Sequence, residues 1–396
     1  MKDFIYYAPT KVIFGKDVEL QAGAQLKAFG AKIVLVHYGS ERIVKNGLMD
    51  RVLESIRKEG IKTVVFGGVT ANPKLSLVTE ATEFARKHNV DFILAIGGGS
   101  VIDSAKAIGY SLADNEKGNV WDFYAKTRTP KGCIPIGTVL TIAAAGSEMS
   151  DSSVITNDHL HLKRGYSSQY ARCRFALENP ALTVTVPPYQ SASGAFDIVM
   201  HTLERYFFNG PRTSLTDELA EGLIRSVFKA IRQVLDNPKD LDARGNLMWA
   251  SSLAHNDLMQ CGNGTRGDWA CHQFSHELSG MFDSAHGASI AAVWTHWASY
   301  VYKENPKAFA QLGNRTFSIA PSGDIEEDAR NTIKEMKHVI ESIGLPTDLH
   351  HLLGKTPTDE EIELLSERCS FNGTRTIGNI KKLDKEDIRS IYRSAR

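Results

Sequence analysis

The chain has 396 residues, 46 basic against 46 acidic side chains, and a hydrophobic content of 42%. A neutral chain with both signs interspersed lacks the one-signed surface that nucleic acid or an anionic membrane requires, and its length is roughly two to three times that of a single domain. Its 5 cysteines show no Cys-x-x-Cys, its N-terminus has no apolar leader, and no apolar run nears the ~20 residues of a membrane span, so a cytoplasmic protein with reduced thiols is expected.

From Val12 onward short apolar runs alternate with amphipathic stretches. Strands are expected at 32–37, 63–66 and 91–96, and helices at 46–59, 74–88 and 100–111. Strand and helix taking turns implies crossover connections and a doubly wound, mostly parallel sheet, which binds ligands at the carboxyl ends of its strands. Two such ends bear glycine turns. Ile96-Gly97-Gly98-Gly99-Ser100 leads from a strand into a helix, where unobstructed backbone amides and the positive end of the helix dipole form a phosphate seat; Ser100 can cap the helix or donate to the phosphate. Tyr38-Gly39-Ser40-Glu41-Arg42 follows an earlier strand, the place where a dinucleotide fold holds the adenosine ribose. Arg42 leans this turn toward a 2′-phosphate, hence NADP(H) over NAD(H), while Glu41 works against it. Gly67 to Pro73 reads as an ordinary turn. Next, 134–142 is an apolar strand entering the small-residue turn at Ala144 to Ser147, and 152–156, 160–163 and 173–177 are expected to close over it as hairpin strands.

Beyond Pro188 the pattern changes to helical periods, with helices expected at 191–207, 216–235, 243–260, 269–282, 290–302, 326–343 and 358–369. The division expected is therefore an α/β dinucleotide-binding domain over 1–187 and an all-helical domain over 188–396. Asp197 and His201, four apart, project a carboxylate and an imidazole from one helix face. His272 and His276 repeat the spacing on a second helix, and His286 stands before Gly287 near that helix's end. A divalent ion would collect such groups, although spacing does not say which of them bind. His88, His159, His161, His255, His296, His350 and His351 read as ordinary structural histidines. With metal candidates in one domain and nucleotide turns in the other, a site built from both is expected in the cleft between them.

With these motifs assembled, the chain resembles the iron-containing (group III, metal-dependent) alcohol dehydrogenases, and within them the NADPH-dependent aldehyde reductases and butanol dehydrogenases. The likeness runs through Thr10 to Gly15, Gly97 to Asp103, Gly146-Ser-Glu148, Asp197-x-x-x-His201, Asn246-Leu-Met-Trp249, His272-x-x-x-His276-Glu-Leu, His286-Gly287 and the tail Ile391 to Arg396. It implies a dehydroquinate synthase-like fold. It also implies that Asp197, His201, His272 and His286 are the metal ligands, with iron(II) expected and zinc possible, and that His276 stands beside substrate and nicotinamide as a catalytic residue.

By the same resemblance Gly39, Ser40 and Arg42 lie near the adenosine ribose, and Gly98, Gly99, Ser100 and Asp103 at the pyrophosphate. Thr138, Thr141, Ser150, Lys163 and Leu182 line the ribose and nicotinamide end. Two departures stand out: Ala144-Ala145-Gly146-Ser147-Glu148 lacks the family's threonine before the glycine, and Glu41 and Arg42 replace a glycine and a serine. The implied activity is hydride transfer between NAD(P)H and short- to medium-chain aldehydes or alcohols, by a homodimer. The competing readings are a metal-dependent lyase or sugar-phosphate cyclase of the same superfamily, which would need a basic cluster near Asp268 to His286, and a noncatalytic binding protein.

Overall fold

The structure is a computed structural model describing all residues, Met1–Arg396. The chain forms two compact units. One comprises Tyr7–Val186 and Lys239–Ser252, the other Met1–Tyr6, Pro187–Pro238 and Leu253–Arg396. The units are thus not separated by a single cut in the chain: most of the Leu241–Ala254 helix belongs with the sheet.

In the first unit β1 (Lys11–Phe14), β2 (Ile33–Tyr38), β3 (Lys62–Phe66), β4 (Phe92–Gly97), β5 (Ile136–Leu140) and β8 (Phe175–Glu178) make an all-parallel sheet in the order β1-β8-β5-β4-β2-β3. Only β6 (Ser152–Asn157) and β7 (Leu162–Ser167) form a hairpin. The segment at 173–177, expected as a third hairpin strand, instead enters the main sheet between β1 and β5. Its run Phe175-Ala-Leu-Glu178 is buried throughout, as a strand covered on both faces must be.

Alternation along the strands sorts the core. Val34 and Val36 of β2, with Phe92, Leu94 and Ile96 of β4, face the helices Ala22–Ala28 and Leu48–Lys58. Leu35, Ile93 and Ala95 face the helices Leu75–Lys87 and Gly99–Ala113. The chain reverses direction across the sheet at β2, which has β3 on one side and β4 on the other. The carboxyl ends of β2 and β4 therefore flank the crevice where an open sheet of this kind receives its ligand.

Two polar side chains buried in this unit set local geometry. Lys106, fully buried on the Gly99–Ala113 helix, donates from Nζ to the carbonyls of Ser147 (2.7 Å), Ser150 (2.9 Å) and Ser152 (2.7 Å). It thereby pins the loop that faces the glycine turn. His37 of β2 donates from Nδ1 to the Phe66 carbonyl (2.9 Å) and accepts at Nε2 from Ser104 (2.9 Å), a neutral ring.

The second unit is helical. Its central helix, Pro188–Tyr206, begins on a proline, as first turns tolerate, and is buried continuously from Ser191 to Tyr206. Around it lie Ser214–Asp236, Ala270–Phe282, His286–Val301, Pro306–Phe317, Ile325–Ser342, Asp359–Cys369 and Lys385–Ser394. The helix expected over 243–260 stops at Ala254. Asp257 then takes a left-handed conformation (φ 73°) before the short 3-10 turn Leu258–Gln260, so His255 leaves helical register. No helix of the chain is long and apolar enough to cross a membrane.

Burial lowers the His37 pKa from 6.5 to about 4, against the opposing hydrogen bond to Phe66. Between those values the unfolded chain binds a proton that the folded chain does not, so stability is complete above pH 6.5 and falls on acidification toward pH 4. The full loss attributable to His37 is about 3 kcal/mol. Urea titrations of the metal-free protein across this window should show that loss, and His37→Gln should flatten it by about that amount.

Candidate metal centre

The Pro188–Tyr206 helix carries Asp197, His201 and Glu204 along one face, all buried. The Ala270–Phe282 helix supplies His272, and His286 is the first residue of the His286–Val301 helix. Gly287 permits this approach, because a Cβ there would collide with the Ser193 carbonyl on the central helix, while the Ala288 amide donates to Ser193 Oγ (3.2 Å).

Asp197 Oδ1 lies 3.5 Å from His201 Nε2, 3.7 Å from His272 Nε2 and 3.8 Å from His286 Nε2. The candidate ligand atoms of Asp197, His272 and His286 all fall within 4.8 Å of one another, and His201 joins them through the shared carboxylate oxygen. Neither Asp197 Oδ1 nor His272 Nε2 has a hydrogen-bond partner although both are buried. A buried carboxylate oxygen and an imidazole nitrogen without hydrogen bonds, with two further Nε2 atoms within 3.8 Å of that oxygen, are a donor set that a divalent cation would complete.

The outward nitrogens are held. His272 Nδ1 lies 3.2 Å from Glu204 Oε1, which also accepts from the His272 amide (3.1 Å). His286 Nδ1 lies 2.7 Å from Ser275 Oγ, whose own proton goes to the His286 carbonyl (3.2 Å). Both arrangements assign the proton to Nδ1 and leave the Nε2 lone pair facing Asp197. Burial holds His201 well below the usual histidine pKa, with His255, His272, Arg205 and His286 adding to the effect, so it is neutral as a ligand must be. Burial acts the same way on His272, but the Asp197 and Glu204 carboxylates outweigh it and raise its pKa; a cation at Nε2 therefore competes with a proton. His276, one turn beyond His272, stacks on His286 with ring centroids 5.7 Å apart.

Sequence spacing missed Glu204 and Ser275, although each follows a candidate ligand by three residues, His201 and His272, the spacing that puts two side chains on one helix face. It also set aside His255, whose ring stacks on His201 with centroids 4.0 Å apart.

The nucleotide candidates lie in the sheet unit. The Gly99–Ala113 helix starts with no side-chain cap; the Val101 and Ile102 amides donate back to the Gly98 carbonyl (3.0 and 3.2 Å), and Ser100 is the second helical residue and not the cap. A Cβ on Gly98 would strike Ile142 Cγ2, which explains the glycine by space. Asp103 accepts from Ser147 Oγ (2.5 Å) and the Val154 amide (2.9 Å), so its carboxylate organises the loop beside the turn.

At the end of β2, Ser40 Oγ accepts from the Arg42 amide (3.1 Å), Tyr38 donates to Glu41 Oε1 (3.1 Å), and the Arg42 guanidinium donates to the Thr185 carbonyl (3.0 Å). Gly39 lies against the Val69 carbonyl. The Thr141 amide donates to the Gly97 carbonyl (3.0 Å), and Leu182 sits in the 3-10 turn Pro180–Thr183. Lys163 of β7 donates to Asn72 Oδ1 (2.8 Å), from the turn that had read as plain. Two of the expected cofactor contacts are buried. Thr138 is wholly buried within β5, and Ser150 is buried with its carbonyl engaged by Lys106.

Comparison with known proteins accords with this geometry. Residues 9–180 match the family model for iron-containing alcohol dehydrogenase, and residues 191–396 the model for the Fe-containing alcohol dehydrogenase family, C-terminal. The chain is 34% identical to the probable NADH-dependent butanol dehydrogenase 1 of Bacillus subtilis over 100% of both sequences. It is 31% identical to the NADPH-dependent aldehyde reductase YqhD of Escherichia coli, again over 100% of both. Its structure superposes on the crystal structure of NADH-dependent butanol dehydrogenase A from Thermotoga maritima with a TM-score of 0.95 at 35% identity, covering 100% of this chain and 99% of that one. A parallel-sheet unit with an uncapped glycine turn, a helical unit with a buried carboxylate ringed by imidazoles, and likeness along the full length together make this chain a member of the iron-containing alcohol dehydrogenase family.

Proposed function

We propose that the chain is a metal-dependent oxidoreductase that transfers hydride between NAD(P)H and short- to medium-chain aldehydes or alcohols. The observation that supports this best is the buried Asp197 oxygen with no hydrogen bond, faced by the Nε2 atoms of His201, His272 and His286. When bound, a divalent ion supplies polarisation of the substrate oxygen, and the nicotinamide carries the hydride. In this reading Asp197, His201, His272 and His286 hold the ion, while Glu204 and Ser275 fix two of the rings. His276 takes or returns the alcohol proton at its imidazole. The mixed carboxylate and imidazole set suits iron(II), and zinc, higher in intrinsic affinity for such ligands, occupies it where supplied.

The cyclase reading requires cations for a substrate phosphate. The stretch from Asp268 to His286 contains no lysine or arginine, which favours the dehydrogenase. Butanal and butanol are the substrates that the relatives' names suggest.

For the nucleotide, the uncapped helix start at Gly98 to Ser100 seats the pyrophosphate. The ribose turn moves the preference from NADPH toward NADH. Arg42 is committed to the Thr185 carbonyl, whereas Glu41, oriented by Tyr38, would repel a 2′-phosphate and accept from a free ribose hydroxyl. The exposed run Phe4 (51%), Ile5 (95%), Tyr6 (43%) and Tyr7 (54%) is apolar surface suited to burial in a homodimer. The five cysteines form no disulfide, which fits a cytoplasmic setting.

His272→Ala should lose bound metal, read by elemental analysis, together with at least about 10³-fold of butanal reduction; a variant with full metal content and normal turnover would remove His272 from the ligand set. Steady-state kinetics should show NADH favoured over NADPH, and Glu41→Gly should move the kcat/KM ratio about tenfold toward NADPH, like charges near a surface being worth roughly that much.

A further inference from the structure

His255 takes no part in the ligand set, yet its ring lies flat against a ligand. Its centroid is 4.0 Å from that of His201, with 25° between the planes. The three imidazoles around Asp197 are not held alike. His272 is fixed through Nδ1 by Glu204 and His286 through Nδ1 by Ser275, but His201 Nδ1 is buried with no hydrogen-bond partner. A ligating histidine normally has its plane set by a bond from its other nitrogen. His201 has a stacked ring in that role.

The segment bearing His255 is fastened on both sides of the stack. The Leu241–Ala254 helix ends one residue earlier, and the left-handed turn at Asp257 redirects the chain. Arg205 ties the two together: it donates to the His201 carbonyl (2.8 Å), pairs with Asp257 (3.6 Å) and lies over the Trp269 ring (4.7 Å). Trp269 in turn flanks both imidazoles, with centroids 5.8 Å from His201 and 6.2 Å from His255. The His201 ring is thus bounded by flat groups where the other two ligands have hydrogen bonds.

We infer that His255 is a positioning residue for the metal centre, setting the plane of the His201 imidazole by stacking so that Nε2 faces the ion. The inference rests on the metal reading above. What it requires of residue 255 is a flat ring, not a donor, an acceptor or a charge.

The test uses the full chain, stripped with a chelator and titrated with Co²⁺ and, by competition, with Zn²⁺, in wild type, His255→Leu and His255→Phe. Wild type should bind one ion and show the d–d absorption of a nitrogen and oxygen site. His255→Leu should bind about tenfold more weakly, with a shifted cobalt spectrum. His255→Phe, which keeps the stack and removes both nitrogens, should restore wild-type affinity and spectrum. A leucine variant indistinguishable from wild type, or a phenylalanine variant as weak as leucine, would overturn the inference while leaving the metal reading intact; wild type that binds no ion would overturn both. Should the leucine variant not fold, the phenylalanine variant decides alone, a match supporting the stacking role and a tenfold loss refuting it.

Discussion

The arrangement that the helical unit depends on is a carboxylate oxygen taken out of water and given no hydrogen bond. Asp197 Oδ1 faces three imidazole nitrogens at 3.5, 3.7 and 3.8 Å. Isolating a buried anion in this way is unfavourable by several kcal/mol unless a cation shares the space. The surroundings hold that geometry in place. The central helix is buried on every side from Ser191 onward, so its polar residues have nowhere else to turn. Gly287 lets a neighbouring helix start against the Ser193 carbonyl, which is what delivers His286. Glu204 and Ser275 then choose the tautomers that leave Nε2 open.

The sheet unit solves a different problem with equal economy of parts. In the proposed reading it seats an anion at the start of the Gly99–Ala113 helix, which begins without a side-chain cap. The loop opposite must approach closely without filling that space. Asp103 and Lys106, three apart on the same helix, anchor it from below through Ser147, Ser150, Ser152 and Val154. Charged side chains within an otherwise apolar helix therefore serve the turn at its start, a role that neither periodicity nor motif spacing exposes.

Much of this was legible in the sequence wherever one chemical pattern has one structural solution. The parallel sheet followed from strand and helix in alternation, and five of its strands fall within a residue or two of their expected places. The segment at 173–177 was misassigned because a short buried run looks the same in a hairpin as in a central strand; only its pairing with β1 and β5 tells them apart. Asp197, His201, His272 and His286, which the family resemblance names as ligands, lie close together, whereas spacing alone left His276 a rival ligand. His255 escaped notice because 243–260 read as one helix. The break after Ala254 that turns its ring onto His201 rests on a left-handed Asp257, for which the local sequence gives no strong signal. Thr138 and Ser150 enter the expected cofactor set by resemblance and not by spacing; one is buried within β5, and the carbonyl of the other is engaged by Lys106.

The chain belongs to the iron-containing alcohol dehydrogenases, and in the proposed reading backbone amides of the sheet unit hold a nucleotide and buried side chains of the helical unit hold an ion. The central claim concerns the ion, and anomalous diffraction from crystals soaked in Zn²⁺ or grown with Fe²⁺ addresses it directly. One strong peak is expected about 2.0–2.2 Å from Asp197 and from Nε2 of His201, His272 and His286. A peak elsewhere, or no ion within bonding distance of Asp197, would contradict it.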